Sequence, residues 1–206
     1  MQTQRNPVYG IVRRQRLNAI FKELVRKSIH ICSSLVPFFL ARFYWPVIAL
    51  LILAAAVYTI SEFLRSKNIN LPFISKITEI AARKRDENHF VLGPVTLVGG
   101  ILLAALFLPL DCARVGIFAL SFGDGLASLM GKLFGKITIP GAHGKTAAGS
   151  LTCFAAVFVS TYCCCGCCFT SLFIALCAMF IEILPLADFD NFIIPPVIGW
   201  IFLVIS

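Results

Sequence analysis

Residues 121 to 150 carry the densest set of side chains that could do chemistry, in the sequence SFGDGLASLMGKLFGKITIPGAHGKTAAGS. One carboxylate, Asp124, is followed by repeated glycines and by the lysines Lys132, Lys136 and Lys145. Glycine-rich backbone and lysine ammonium groups bind phosphate, and a nearby carboxylate can hold Mg²⁺ or assist a reaction. The stretch therefore indicates chemistry on a phosphorylated compound.

Two rows of residues repeat every four positions if the first part of this stretch is helical, so each row shares a helix face. The first row consists of small residues, which would let another helix approach closely within a bilayer. These residues are Gly123, Ala127, Gly131 and Gly135. The second row is polar: Asp124, Ser128, Lys132 and Lys136. Glycine is a poor helix former, so the lower ends of both rows are also compatible with a loop.

Asp124 lies inside a strongly apolar segment, where an unpaired carboxylate is costly. The functional interpretation is a Mg²⁺ ligand or a catalytic carboxylate. The structural alternative is an ion pair with Lys132 or Lys136 on the same row. The open surroundings that the neighbouring glycines provide favour the functional interpretation.

A second glycine-rich group follows in the loop, with Gly144-Lys145-Thr146 and then Gly149-Ser150. Backbone N–H groups of such residues can converge on a phosphate, and Lys145 adds a mobile positive charge. A P-loop is excluded, because Ile139 stands where that motif requires glycine and no strand is expected before it.

A short acidic loop near the C-terminal end contains Asp188, Asp190 and Asn191. Carboxylate and amide oxygens are ligands for a hard cation such as Mg²⁺. A solvated turn that caps the following helix is the structural alternative.

Three further polar residues lie at the ends of apolar segments. Glu62 and Arg65 stand three positions apart and can form a helical ion pair, of structural or functional use. His30 follows Arg26 and Lys27 by one turn and could contact a phosphate or a lipid hydroxyl, or simply be hydrated at the interface.

The composition indicates which kind of fold must position these side chains. Of the 206 residues, 59% are hydrophobic and 14% are charged, and the mean hydropathy is +0.89. These values predict an all-α, polytopic integral membrane helix bundle, since soluble domains are about a quarter charged. Seven apolar segments are expected, at 29–44, 45–64, 91–109, 113–130, 147–165, 168–184 and 192–205. Several are shorter than a usual span, so six spans and a re-entrant piece are the alternative.

Residues 1–28 are predicted to form a basic, amphipathic segment attracted to anionic lipid, and residues 29–206 a single transmembrane catalytic domain. No cleavable signal is expected. If the N-terminus is cytoplasmic, 16 of the 18 Lys and Arg residues share that side, and only Arg42 and Arg114 lie opposite. The expected location is a bacterial cytoplasmic membrane with the site facing the cytoplasm.

Five cysteines between residues 163 and 168 fall on the opposite side under this orientation. Their spacing does not suit the usual metal-binding pairs. They are interpreted as small apolar residues at a helix–helix turn, with lipidation and metal binding as the alternatives.

Six sequence blocks in this order resemble the family of dolichol kinases, phytol kinases and CTP-dependent diacylglycerol kinases, which is related to the phosphatidate cytidylyltransferases. They are RKSIH (26–30), EFLR (62–65), GPVTLVGG (93–100), SFGDGLASLMGKLFGK (121–136), GKTAAGS (144–150) and the stretch from Glu182 to Asn191. The resemblance covers about residues 22 to 200. The blocks at 121–136 and 144–150 are the most specific.

The resemblance implies phosphoryl transfer from a nucleoside triphosphate, CTP or ATP, to the hydroxyl of a membrane lipid alcohol, with Mg²⁺. It implies that Asp124 is the central carboxylate and that Asp190 and Asn191 close the site, while Glu62 and Arg65 match the family's end-of-helix pair. Lys145 is expected to act in catalysis, and either Asp124 or Glu62 to orient or deprotonate the lipid hydroxyl, with His30 and Arg65 on the lipid side. Its glycine and lysine blocks would line the nucleotide phosphates: Gly123, Gly131, Lys132, Gly135, Lys136, Lys145, Thr146, Gly149 and Ser150. No nucleic-acid partner is expected.

Three rival interpretations remain at this stage. A cytidylyltransferase acting on a lipid phosphate is disfavoured, because Ala148 replaces a glutamate common in related sequences. The serine-proline pair that cytidylyltransferases carry ahead of their lysine is also absent. A small transporter could use Asp124 and Glu182 along an ion path, although it would not need the loop lysines. An inactive scaffold is the third, with Ala148 as its indication.

Overall fold

Residues 7–67 form a long, interrupted helix and a second helix that turns back from its end. The structure is a computed structural model, and it describes residues 7–67, 90–142 and 144–206. Helix α1 (Pro7–Cys32) continues through a 3₁₀ turn (Ser33–Leu35) into α2 (Val36–Arg42). Helix α3 (Tyr44–Ser66) follows directly, because Phe43 leaves the helical conformation and turns the chain back.

The second half supplies six more helices, and one of its spans contains a π-helical turn. Helix α4 is Gly93–Phe107. Helix α5 (Leu110–Phe118) runs through the π-helical turn (Ala119–Asp124) into α6 (Gly125–Phe134). Helices α7 (Ala147–Cys165), α8 (Cys168–Ile183) and α9 (Asp190–Ile205) complete the described bundle.

The predicted all-α membrane bundle is confirmed. Among the described residues, four helical runs are long and apolar enough to cross a bilayer: Ile20–Arg42, Tyr44–Ser66, Leu110–Phe134 and Ala147–Cys165. Three shorter apolar helices are Gly93–Phe107, Cys168–Ile183 and Asp190–Ile205. Each of the seven runs overlaps one predicted segment. The described ranges contain no strand, only an isolated antiparallel bridge between Thr138 and Thr146.

The helices pack in two connected groups. Helix α7 lies against α8 and α6, while α9 crosses α4 and α5. Branched side chains fill the space between them, and Val157, Ile174 and Ile198 are fully buried there. Large apolar side chains such as Phe169, at 86% exposed, point outward, where a bilayer would cover them.

The turn between α7 and α8 lies within the cysteine run. Gly166 adopts a left-handed conformation (φ 67°) and ends α7, as glycine does at many helix C-termini. The expected helix–helix turn is therefore present, and the cysteines on either side of it are free.

The expected division after residue 28 falls inside helix α1, which continues unbroken to Cys32. Helix α1 packs against the π-helical turn and α6, and it buries the side chains of Glu23 and Lys27. The end of the basic N-terminal segment is thus part of the packed bundle.

Candidate functional site

A polar pocket of about 450 Å³ lies between α1 and α6, the end of α8 and the starts of α7 and α9. Its size is usual for a small-molecule site, which ranges over about 300–1,000 Å³. Carboxylates and cations line it in nearly equal number: Glu23, Asp124, Glu182 and Asp190 with Arg26, Lys132 and Lys145. Small or neutral groups complete the wall: Ala127, Ser128, Gly131, Gly144, Thr146, Gly149, Pro185 and Ala187.

Asp124 lies at the end of the π-helical turn and is 4% exposed. One of its oxygens, Oδ2, accepts a hydrogen bond from the Lys27 ammonium and lies 3.2 Å from His30 Nδ1. The other oxygen, Oδ1, is 3.5 Å from the Ser128 hydroxyl. One edge of the carboxylate is therefore held by α1, and the other edge faces the pocket lining.

The structure corrects the ion pair considered for Asp124, because its partner is Lys27 and not Lys132 or Lys136. Lys27 is 1% exposed, so the pair is fully buried. Breaking one member of such a pair leaves an uncompensated buried charge, which typically costs about 3–5 kcal/mol. The pair therefore fixes the position of Asp124 relative to α1.

Lys132 is held on the same side of the pocket by Glu23. Its Nζ donates a hydrogen bond to Glu23 Oε2 over 2.6 Å, across 109 positions of sequence. Glu23 also pairs with Arg26 one turn along α1. Glu23 thus forms ion pairs with two of the three cations in the described lining.

Lys145 and Glu182 are a further pair of oppositely charged residues in the pocket lining. Lys145 Nζ is 3.4 Å from Glu182 Oε1, and the Ser150 hydroxyl donates to Glu182 Oε2 over 3.1 Å. The buried Lys145 Nζ makes no hydrogen bond to any described residue. Lys145 is therefore ion-paired with Glu182 but keeps N–H donors for an anion from outside the chain.

Two glycine turns and a helix cap determine the path of the loop that carries Lys145. Gly141 and Gly144 have positive φ values of 78° and 85°, a conformation that glycine adopts without strain. The Thr146 hydroxyl then caps α7 by accepting a hydrogen bond from the Gly149 N–H over 3.2 Å. This cap places Lys145 directly before the first turn of α7.

The row of small residues forms the predicted close seam, and the helix that it meets is α7. A Cβ on Gly123 would lie 2.8 Å from Val157 Cγ2, and one on Gly131 would lie 2.9 Å from Thr146 Oγ1. A Cβ on Gly149 would lie 2.9 Å from the Ala127 carbonyl oxygen. Gly131 and Gly149 also line the pocket, so they combine close packing with access to the site.

Asp190 reaches the pocket at the start of α9, and Asn191 turns the other way. Asn191 is 1% exposed and its amide nitrogen lies 3.4 Å from the Thr96 hydroxyl. Within the described ranges, no three His, Cys, Asp or Glu side chains converge as a metal site. Asp124 and Asp190 both line the pocket. This donor set fits a Mg²⁺ that arrives on phosphate oxygens, which commonly needs only one or two protein carboxylates.

The pocket brings together seven of the predicted residues: Asp124, Gly131, Lys132, Lys145, Thr146, Gly149 and Asp190. His30 and Ser150 stand directly behind it, on Asp124 and Glu182. The described lining does not include Glu62, Arg65, Gly123, Gly135, Lys136 or Asn191. Glu62 instead pairs with Arg65 and accepts a hydrogen bond from the Val91 N–H over 3.0 Å.

Sequence reasoning missed the contribution of α1 to the pocket. Arg26 and Lys27 belong to the segment that the sequence predicts to be interfacial, and Glu23 was not identified as a site residue. The missed signal is that Glu23, Lys27 and His30 repeat at intervals of four and three, which forms a polar stripe on one helix face. A polar stripe on an apolar helix points toward a partner within the bundle.

Comparison with curated proteins finds similarity to lipid kinases. The chain is 30% identical over 145 residues to phytol kinase 1, chloroplastic, of Arabidopsis thaliana, which covers 66% of this chain and 46% of the relative. It is 26% identical over 142 residues to CTP-dependent diacylglycerol kinase 1 of Saccharomyces cerevisiae, covering 64% and 47%. A protein of the same name from Eremothecium gossypii is 34% identical over 85 residues, covering 41% and 26%.

The predicted resemblance to the family of phytol and CTP-dependent diacylglycerol kinases is thus confirmed over about two-thirds of the chain. The chain spans about half the length, or less, of these relatives. No family model matches the chain, and no solved structure matches it. The relatives are eukaryotic, so they give no support to the expected bacterial membrane.

Proposed function

We propose that this protein is a membrane lipid kinase, which transfers the γ-phosphate of a nucleoside triphosphate to the hydroxyl of a lipid alcohol. The observation that carries the proposal is the polar pocket in an apolar bundle. Its Lys145 ammonium is ion-paired with Glu182 but makes no hydrogen bond to a described residue. A phosphate is the natural acceptor for such a group.

CTP is the donor that we propose, with ATP as the alternative to be tested, because two relatives carry CTP in their names. The names of the relatives give diacylglycerol and phytol as acceptors. Both compounds are apolar molecules with a primary hydroxyl. We therefore propose an acceptor of this class, which would reach the pocket from the bilayer.

The cations of the pocket have the main chemical task in this proposal. Phosphoryl transfer depends on alignment and on stabilising the charge of the phosphate oxygens, and little covalent chemistry is left to the protein. Lys145 and Lys132 both line the pocket, and Arg26 lies beside Lys132's partner Glu23. A triphosphate in the pocket would have its charge offset by these three cations.

Asp124 would align the reacting groups. Lys27 and His30 hold its Oδ2, which leaves Oδ1 on the pocket side for the acceptor hydroxyl or for a metal ion. Asp124 and Asp190 are the residues that would hold Mg²⁺ brought by the nucleotide, and that ion supplies neutralisation of phosphate charge. His30 lies behind Asp124 and would help to hold that carboxylate in place.

We further propose that the pocket faces the cytoplasm. The cations of the pocket belong to the basic side of the chain, which holds all Lys and Arg residues except Arg42 and Arg114. Cytoplasmic loops of membrane proteins carry such an excess of positive charge. Nucleoside triphosphates are available on that side.

The test is phosphate transfer by the purified protein in detergent with Mg²⁺. CTP and ATP, each labelled at the γ-phosphate, are offered with diacylglycerol, phytol and longer prenols, and label is followed into the lipid phase. Label in a lipid identifies donor and acceptor together. Pyrophosphate release from CTP and a lipid phosphate, without labelled lipid, would instead indicate a cytidylyltransferase.

A pair of lysine variants makes this test specific for the pocket. Lys145→Met should lower kcat/KM by roughly 100-fold, the usual scale for loss of one preorganised donor. Lys67→Met is the matched control, because Lys67 is exposed and rests on the Phe63 ring outside the pocket. Equal activity of the two variants would remove Lys145 from the proposed mechanism.

A further inference from the structure

Glu23 is a buried carboxylate in the pocket for which phosphoryl transfer has no direct use. It is 4% exposed, and it lies one turn before Lys27 on α1. Its side chain accepts hydrogen bonds from the Arg26 guanidinium and the Lys132 ammonium. A negative group at this place repels the phosphates that the pocket is proposed to bind.

The two pocket lysines differ in how closely a carboxylate holds each of them. Lys145 Nζ lies 3.4 Å from Glu182 Oε1 but makes no hydrogen bond to a described residue, so its N–H donors are available to a phosphate. Lys132 Nζ is already hydrogen-bonded to Glu23 over 2.6 Å, although its side chain is 45% exposed. Lys132 keeps N–H donors for a phosphate, but the Glu23 carboxylate offsets the positive charge that the phosphate would otherwise meet.

We propose that Glu23 is a positioning residue that holds Lys132 and Arg26 in the pocket when no nucleotide is bound and competes with phosphate for them. The inference rests on the proposed function, because it concerns the same phosphates. The donor binds first at Lys145 and then takes Lys132 from Glu23. When the γ-phosphate has left, Glu23 regains Lys132 and weakens the hold on the diphosphate product.

Substitution of Glu23 should therefore tighten product binding instead of weakening it. Glu23→Gln keeps the shape of the side chain and removes its charge, so Lys132 and Arg26 become fully available to phosphate. We expect CDP and inorganic pyrophosphate to bind about tenfold more tightly, with a lower kcat and a lower KM for CTP. A purely structural role for Glu23 would predict weaker binding.

The experiment measures CDP and pyrophosphate affinity by calorimetry on the purified, full chain in detergent, together with kcat and KM. Asp111→Asn is the matched control. It also removes a carboxylate from an i,i+3 pair with an arginine, Arg114, and it lies outside the pocket lining. Its affinity for both ligands should equal that of the unmodified protein.

Unchanged or weaker binding by folded Glu23→Gln would overturn the inference. If that variant does not fold, Glu23→Asp carries the test, because it keeps the charge but withdraws it from Lys132. It should tighten binding about threefold, and unchanged affinity there would also overturn the inference. Failure of the unmodified protein to bind CTP or CDP would instead overturn the proposed function itself.

Discussion

The buried pair of Lys27 and Asp124 is the contact that most tightly constrains the chemistry of the site. Both side chains are at most 5% exposed, and they join α1 to the π-helical turn. The sequence alone predicted that Asp124 was important, since a carboxylate inside an apolar segment is rare. It could not identify the partner, because the two residues are 97 positions apart and same-row lysines were closer in sequence.

Charge removal at one member of this pair should harm stability as well as activity. Asp124→Asn should abolish lipid phosphorylation and lower the free energy of unfolding by about 3–5 kcal/mol, because it leaves Lys27 buried without a counter-charge. The double variant Lys27→Met/Asp124→Asn should regain most of that stability and stay inactive. Thermal unfolding in detergent and the transfer assay measure both effects.

The outcome for the double variant decides between a coupled pair and two independent residues. A coupled pair requires non-additive stability changes in the double-mutant cycle. Additive losses would contradict the pairing. Activity in Asp124→Asn would contradict the role that we propose for this carboxylate.

Helix boundaries were predicted well where composition alone determines them. All seven apolar segments correspond to described helical runs, because apolar length is the dominant signal in a bilayer protein. The prediction was less successful at Lys136, which was placed on one row with Lys132. Helix α6 ends at Phe134, so Lys136 leaves that row and is exposed.

The seam between the small-residue row and α7 can be tested by crowding it. Gly123→Ala places a methyl group against Val157, a stiff and fully buried side chain, so we expect a loss of about 1–3 kcal/mol in the free energy of unfolding. Val157→Ala should be destabilising alone but should make room for the new methyl group. Thermal unfolding of the two single variants and the double variant measures this.

Rescue in the Gly123→Ala/Val157→Ala variant would establish that Gly123 serves packing. Gly93→Ala is the control for helix propensity, since a Cβ there meets nothing within 4 Å. If Gly123→Ala keeps full stability and loses nucleotide affinity, the original assignment of Gly123 to nucleotide binding would be favoured.

At the scale of the whole molecule, the pocket and the cysteine run lie at opposite ends of α7. This helix has 19 residues, so its ends are about 28 Å apart, close to the thickness of a bilayer core. The pocket loop precedes α7. Cys164 lies in the last turn of α7 and Cys167 follows its end, and both thiols are exposed. The structure therefore separates two chemically distinct surfaces.

Thiol labelling should report the orientation of these surfaces. In a variant that keeps only Cys167, a membrane-impermeant maleimide should label intact cells from outside. In a cysteine-free variant with Lys136→Cys, labelling should require permeabilised cells, because we place the pocket side in the cytoplasm. The reverse pattern would show that the positive charge does not set the orientation.

The π-helical turn between α5 and α6 has a consequence for how this chain relates to others in evolution. A π-helical turn holds one more residue than an α-helical turn of the same height. A homologous chain with a regular helix at this place would therefore be one residue shorter inside a membrane span. In an alignment, that gap belongs within residues Ala119–Asp124 and not in a neighbouring loop. Moving it into a loop would pair Asp124 with a residue on a different helix face.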